Sequence, residues 1–180
     1  MNLLEPNERP NLLVSCSWSL WREAADEAKR ILKELGDEGP LVTRTLAKGI
    51  LGVRTSLDSR FVVRGVREMF TKDPSSVQYT LKLVPIDTWT ASDIDSIKEG
   101  VSGIMGRISK GEKWRMTVEK RRYTEHHKSE IIKEVAELIE EKVDLEKPDK
   151  ILRIEIIGGY AGLSILKPDE TFSLARAFSP

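Results

Sequence analysis

Between residues 10 and 84 the apolar residues change their spacing several times, and few folds accept the order in which they do so. Leu12, Leu13 and Val14 make a compact apolar run after Pro10, which predicts a strand over Asn11 to Cys16. Trp21, Ala24, Ala25, Ala28, Ile31, Leu32 and Leu35 then recur at helical spacing, and Gly36 stands where a C-terminal cap belongs. Leu41 to Leu46 and Ile50 to Thr55 read as two strands joined around Lys48-Gly49. A second helix carries Val62, Val63, Val66, Met69 and Phe70 on one face and stops before Asp73-Pro74, since proline cannot continue it. Val77, Tyr79, Leu81 and Leu83 alternate with Gln78, Thr80 and Lys82, the pattern of a half-buried strand. Strand, helix, strand, strand, helix, strand is the split βαβ order.

A new unit is expected after Pro85-Ile86-Asp87, giving domains at residues 1–86 and 87–180, a division that 180 residues allow but do not require. Ser92 with Asp95 three residues on resembles a capping box. Ile94, Ile97, Val101, Ile104, Met105 and Ile108 mark the buried face of the helix it would start. Gly100, Gly103 and Gly106 each lower its propensity by about 1 kcal/mol relative to alanine, either to admit a close neighbour or simply as a weakness. Trp114, Met116 and Val118 alternate with Lys113, Arg115 and Thr117 in a strand that runs out into Lys120-Arg121-Arg122. A helix from about Ser129 follows, with Ile131, Ile132, Val135, Leu138, Ile139 and Val143 on one side. Asp149 to Ile157 and Ala161 to Leu166 are paired strands around Gly158-Gly159, and the tail from Lys167 to Pro180 is expected to pack loosely.

Charge narrows the chemistry. Lys+Arg and Asp+Glu are equal at 29 each, so no global field draws the chain to a polyanion. Locally the balance breaks. Arg107 to Lys133 holds nine Lys/Arg against four Glu, a net of +5, whereas Glu134 to Asp149 holds seven acids against two Lys, a net of −5. A strand that delivers Lys120, Arg121 and Arg122 to a sheet edge before a helix begins offers phosphate oxygens a place to sit, although such a run also serves as a plain solvated turn. The acids read as the outer face of a helix rather than a catalytic pair.

Catalytic patterns fail one after another. Cys16 is the only cysteine, which excludes an internal disulfide, a cysteine metal cage and the zinc deaminase signature, and it reads as a small core residue. No Gly-x-x-x-x-Gly-Lys-Ser/Thr loop, Gly-x-Gly-x-x-Gly turn or Gly-x-Ser-x-Gly elbow occurs. The glycines from Gly158 to Gly162 lie between two strands and fit a hairpin. His126 and His127 are the only histidines, and neighbours in sequence point different ways, so a shared metal site is not expected. No cofactor or metal is anticipated, and with no apolar run of membrane length the expected compartment is the cytoplasm.

The second half resembles a THUMP domain, the RNA-binding module of thiouridine synthetases, tRNA methyltransferases, pseudouridine synthases and deaminases. The likeness lies in Trp114 to Arg122, in Ser129-Glu130-Ile131-Ile132-Lys133, in Lys142 to Asp149 and in Leu152 to Ile157. The first half, through its element order and Gly49-Ile50-Leu51-Gly52-Val53-Arg54-Thr55, resembles the ferredoxin-like domain that precedes THUMP in such proteins. The implied fold is α/β (α+β), a ferredoxin-like domain followed by THUMP. Because the chain ends where a catalytic domain would begin, it is most similar to stand-alone THUMP proteins, among them the adaptor for tRNA cytidine N4-acetylation. The resemblance implies a non-catalytic protein that holds the tRNA acceptor end for a separate acetyltransferase. Its RNA-facing positions would be Lys120, Arg121 and Arg122, with Lys113, Arg115 and Lys128 nearby. Alternatives are a THUMP subunit for another tRNA modification, a small RNA-modifying enzyme using His126 or His127, or a purely protein-binding module.

Overall fold

The computed structural model describes residues 9–178. Its elements run β1 (Leu12–Ser15), α1 (Trp21–Leu35), β2 (Leu41–Arg44), β3 (Ile50–Arg54), α2 (Ser59–Lys72), β4 (Lys82–Pro85), β5 (Thr88–Ala91), α3 (Ile94–Ile104), β6 (Trp114–Arg121), α4 (Lys128–Ala136), β7 (Lys150–Ile157), β8 (Tyr160–Leu166), β9 (Phe172–Ser173) and α5 (Leu174–Ala177). They form two compact units, one running to Ile86 and resuming at Asp169, the other Asp87–Pro168.

In the first unit the sheet order is β2-β3-β1-β4-β9, antiparallel throughout. The first four strands stand in the ferredoxin-like order that the split βαβ pattern implies. Both helices pack their periodic apolar faces, Ile31 and Leu32 from α1 and Val62 and Val66 from α2, against Leu12, Val14 and Val53. Gly36 closes α1 in the left-handed conformation at φ 114°, and the Asp58 carboxylate caps α2 by accepting the Arg60 and Phe61 amides at 2.8 and 3.0 Å.

The alternation from Val77 to Leu83 is strand only at its end, from Lys82. Ahead of it the backbone amides bond a buried side chain. The Glu27 carboxylate accepts the N–H groups of Gln78 at 2.7 Å, Tyr79 at 3.1 Å and Thr80 at 2.8 Å. A carboxylate that takes these donors removes the need for a strand partner, and Leu81 is left 44% exposed. The tail also departs from expectation, since Phe172 pairs with Leu83 and is buried, its ring edge-on to Phe70 at 6.0 Å.

The second unit has the order β5-β8-β7-β6, with β6 and β7 parallel across the α4 crossover. Strand β5 was not anticipated; its four residues hold one large apolar side chain, Trp89, and pair along a single edge of β8. The cap of α3 is Asp93, whose carboxylate accepts the Ser96 amide at 2.8 Å, while Ser92 is buried with its carbonyl accepting the Tyr123 hydroxyl at 3.2 Å. Helix α4 stops at Ala136, which leaves Val143 outside it and exposed, and within the helix Ile131 and Val135 are buried while Ile132 is exposed. The acids beyond it shape a loop instead of facing outward from a helix. Asp149 accepts the Lys113 amide at 2.8 Å, Glu141 the Gly111 amide at 3.0 Å, and Asp144 the Glu146 and Lys147 amides at 3.0 Å.

The three glycines of the α3 region separate into two roles. A β-carbon at Gly100 would lie 2.5 Å from Thr90 Cγ2 and 2.6 Å from Leu163 Cδ1, whereas one at Gly103 would meet nothing within 4 Å. Gly100→Ala is therefore expected to destabilise the second unit by about 1–3 kcal/mol through overpacking. Gly103→Ala is expected to stabilise it by up to about 1 kcal/mol through helix propensity. Urea unfolding of the two variants checks the pair, and equal effects would refute the close-packing assignment.

Candidate nucleic-acid interface

Strand β6 sorts its side chains by alternation. Trp114, Met116 and Val118 are buried in the second core beside Ile131, Val135, Leu152 and Ile154. Trp114 is 1% exposed and its indole N–H donates to the Glu141 carbonyl at 2.8 Å, so it packs and does not stack on a base. Tyr123 is buried as well, and burial, followed by the charges of Glu125, Asp93 and Glu130, raises its pKa.

The expected cations are held in different ways. Lys120 Nζ donates to the His126 carbonyl at 2.6 Å and stands 5.7 Å from the Tyr123 ring centre. Arg121 bonds Glu155 at 2.8 Å. Lys113 Nζ lies 3.7 Å from Asp144, and Lys128 Nζ lies 3.5 Å from Glu119. Arg115 donates to the Leu145 carbonyl at 3.0 Å, with its Nε buried and unbonded. Arg122 differs from all of these. It is exposed, it sits at φ 58°, and it has no hydrogen-bond or ion-pair partner among the described residues. The next strand pair fixes its position, because the Gly158 amide at the β7–β8 turn donates to the Arg121 carbonyl at 2.9 Å.

Glu155 was not among the expected functional residues. It is 2% exposed and takes both Arg121 and Arg153, each at 2.8 Å. A signal for it existed in the sequence, an acid inside the otherwise apolar run Ile154 to Ile157. Its partners make Arg121 a structural cation as much as a surface one.

His126 does find a carboxylate, Glu130, at 3.0 Å. The pair is an i,i+4 contact at the start of α4, with the Glu130 side chain 51% exposed. The hydrogen bond from His126 is the largest influence on the Glu130 carboxyl and holds its pKa below the usual range. Both side chains of this pair are partly open to solvent, His126 at 35% and Glu130 at 51%. Among the described residues no cluster of His, Cys, Asp and Glu is arranged to hold a metal ion, and no helix is long and apolar enough to cross a membrane.

Residues 91–166 match the THUMP domain family. No curated protein sequence matches the chain. Among solved structures, the chain is similar to PH1313 from Pyrococcus horikoshii, with a TM-score of 0.63 and 17% identity over 87% of this chain and 54% of that one. It is also similar to TrmN from Thermus thermophilus, with a TM-score of 0.58 and 15% identity over 88% of this chain and 46% of that one. The chain thus spans about half the length of each of these two structures. These likenesses establish the shared fold of β-sheets and helices. The stretch that matches the THUMP domain model runs from the last residue of β5 through β8 and takes in nearly the whole of the second unit.

Proposed function

We propose that this protein binds tRNA at the β6 end of its THUMP domain, holds the acceptor end through phosphate contacts, and presents the molecule to a separate modifying enzyme without catalysis of its own. A cytidine N4-acetyltransferase is the partner we favour. The observation that carries the reading is Arg122. A non-glycine residue at positive φ costs about 1 kcal/mol or more, and glycine would occupy the position more easily. An arginine kept there with its donors free fits a role outside the fold. Lys120 and Lys128 lie toward the same strand end and add to its positive charge, whereas Lys113 and Arg115 sit at the opposite end of β6, and Lys113, Arg121 and Lys128 have carboxylate partners that offset their charge.

Arg122→Gly separates stability from binding. The variant is expected to be as stable as the parent or more stable by about 1 kcal/mol, because the strain is relieved. Its affinity for tRNA is expected to fall several-fold, with a salt dependence shallower by about 0.7–0.9 in log–log slope for one lost phosphate contact. Filter binding across a salt series measures both, and unchanged affinity and slope would remove Arg122 from the interface. The adaptor step has its own assay. Acetylation of tRNA by a separate acetyltransferase should rise on addition of this chain, and intact tRNA binding without that rise would favour service to a different modification.

A further inference from the structure

The first unit holds a second cluster of cations, arranged unlike the one on β6. A cleft of about 250 Å³ is lined by Trp18, Trp21 and the β2–β3 loop from Arg44 to Gly49. Trp18 lies in a single 3₁₀ turn before α1 and is 60% exposed. Lys48 Nζ sits 4.9 Å from its ring centre. The guanidinium carbons of Arg22 and Arg44 each sit 4.7 Å from the ring centre of Trp21. The side chains of Arg22, Arg44 and Lys48 have no carboxylate or hydrogen-bond partner among the described residues, and no acid lines the cleft. Indoles therefore hold three cations in place by their faces, which leaves the N–H edges unspent.

The cleft walls are also fixed. Gly49 takes φ 81°, and a β-carbon there would lie 2.7 Å from the Cys16 carbonyl, so the loop packs its bare backbone against the segment that leads to Trp18. The Cys16 amide donates to the Gly49 carbonyl at 2.9 Å, and the Thr45 hydroxyl donates to the Ile50 carbonyl at 2.8 Å. A preformed cleft with an exposed indole and uncommitted guanidinium edges suits a flat ring with a phosphate on either side.

We propose that this cleft is a binding site for single-stranded RNA, with a base stacked at Trp18 and the flanking phosphates on Arg44 and Lys48, while Arg22, stacked on Trp21, adds positive charge at the cleft's border. This rests on the reading of the chain as an RNA-binding protein, and it extends that reading to a site on the first unit that recognises unpaired nucleotides. The exposed Leu46 in the cleft wall gives the base an apolar border.

Tryptophan fluorescence tests it in the full chain, because Trp89 and Trp114 are buried and a base stacked in the cleft reaches only Trp18 and Trp21. A short oligoadenylate is expected to quench the wild-type signal. Trp18→Ala should weaken its binding, followed by anisotropy of a labelled oligomer, by roughly fivefold to a hundredfold for one lost stack. Arg44→Ala and Lys48→Ala should each make the salt dependence shallower by about 0.7. Trp18→Ala should weaken oligoadenylate binding more than Arg122→Gly does, whereas Arg122→Gly should weaken tRNA binding more than Trp18→Ala does, which ties the two effects to separate sites. Wild-type binding of tRNA without quenching by oligoadenylate, or a Trp18→Ala protein that binds both RNAs as the parent does, would overturn the proposal and assign the patch to a protein partner. Loss of tRNA binding by the wild type itself would instead sink the RNA-binding reading.

Discussion

Glu27→Ala is expected to destabilise the first unit by about 3 kcal/mol or more, one of the two largest effects predicted for a single substitution. Glu27 is 7% exposed, and its carboxylate accepts the amides of Gln78, Tyr79 and Thr80. A buried donor left without an acceptor costs about 1–3 kcal/mol, and the Thr80 residue is itself buried at 1% exposure. Water admitted to the space left by the side chain would recover part of the loss at Gln78 and Tyr79. Glu27→Gln keeps one carbonyl oxygen as acceptor and places an amide where the second carboxylate oxygen stood, so it should fall between parent and alanine. Hydrogen exchange of the 78–80 amides is the direct check. Their protection should drop in both variants, and unchanged protection would show that these donors are satisfied without Glu27.

Trp114→Ala is expected to cost the second unit about 3–5 kcal/mol, the range for truncating a large buried aromatic. The indole fills the core beside α3 and α4 and also holds a loop, since its N–H bonds the Glu141 carbonyl. The same residue's backbone pairs with that loop on both sides, the amide to Lys142 at 3.0 Å and the carbonyl to Asp144 at 2.9 Å. Trp114→Phe keeps most of the apolar surface and loses the side-chain bond, with an expected cost of about 1–2 kcal/mol plus a small cavity. Because the chain has two units, a single melting temperature would blend them. Residue-resolved hydrogen exchange separates them, and the alanine variant should lose protection along β6 and β7 while β1 and β3 keep theirs. Equal loss in both sheets would contradict independent cores.

Local rules carried most of the fold. Gly36 ended α1, alternation sorted Trp114, Met116 and Val118 inward, and Gly158-Gly159 turned β7 into β8. The failures have distant or edge-strand causes. The 77–81 stretch has a strand's alternation, but a carboxylate 51 residues before Gln78 took its amides. Thr88 to Ala91 carries too little apolar surface to declare itself and exists because β8 offers an edge. At the site, a count of charges located the basic stretch but could not tell a committed cation from a free one. Arg121 and Arg122 are adjacent and identical in type, yet Glu155 claims the first and nothing among the described residues claims the second. The cluster around Trp18 was invisible for a related reason, because Arg44 and Lys48 come from the β2–β3 hairpin and reach indoles at the start of α1 only in the folded unit.

The pairing of β9 with β4 bears on how the chain is made. The edge of the first sheet is completed by residues that leave the ribosome after every strand of the second unit, so the first unit cannot finish folding until the second has been synthesised. Through that interval β4 carries an unpaired edge, and Phe70 lacks the ring of Phe172 against which it later packs. Nascent chains halted before Asp169 therefore present a sticky sheet edge. A fragment cut at Ile86 would retain it permanently, so studies of the first unit should carry the final segment as a separate strand or a fused one.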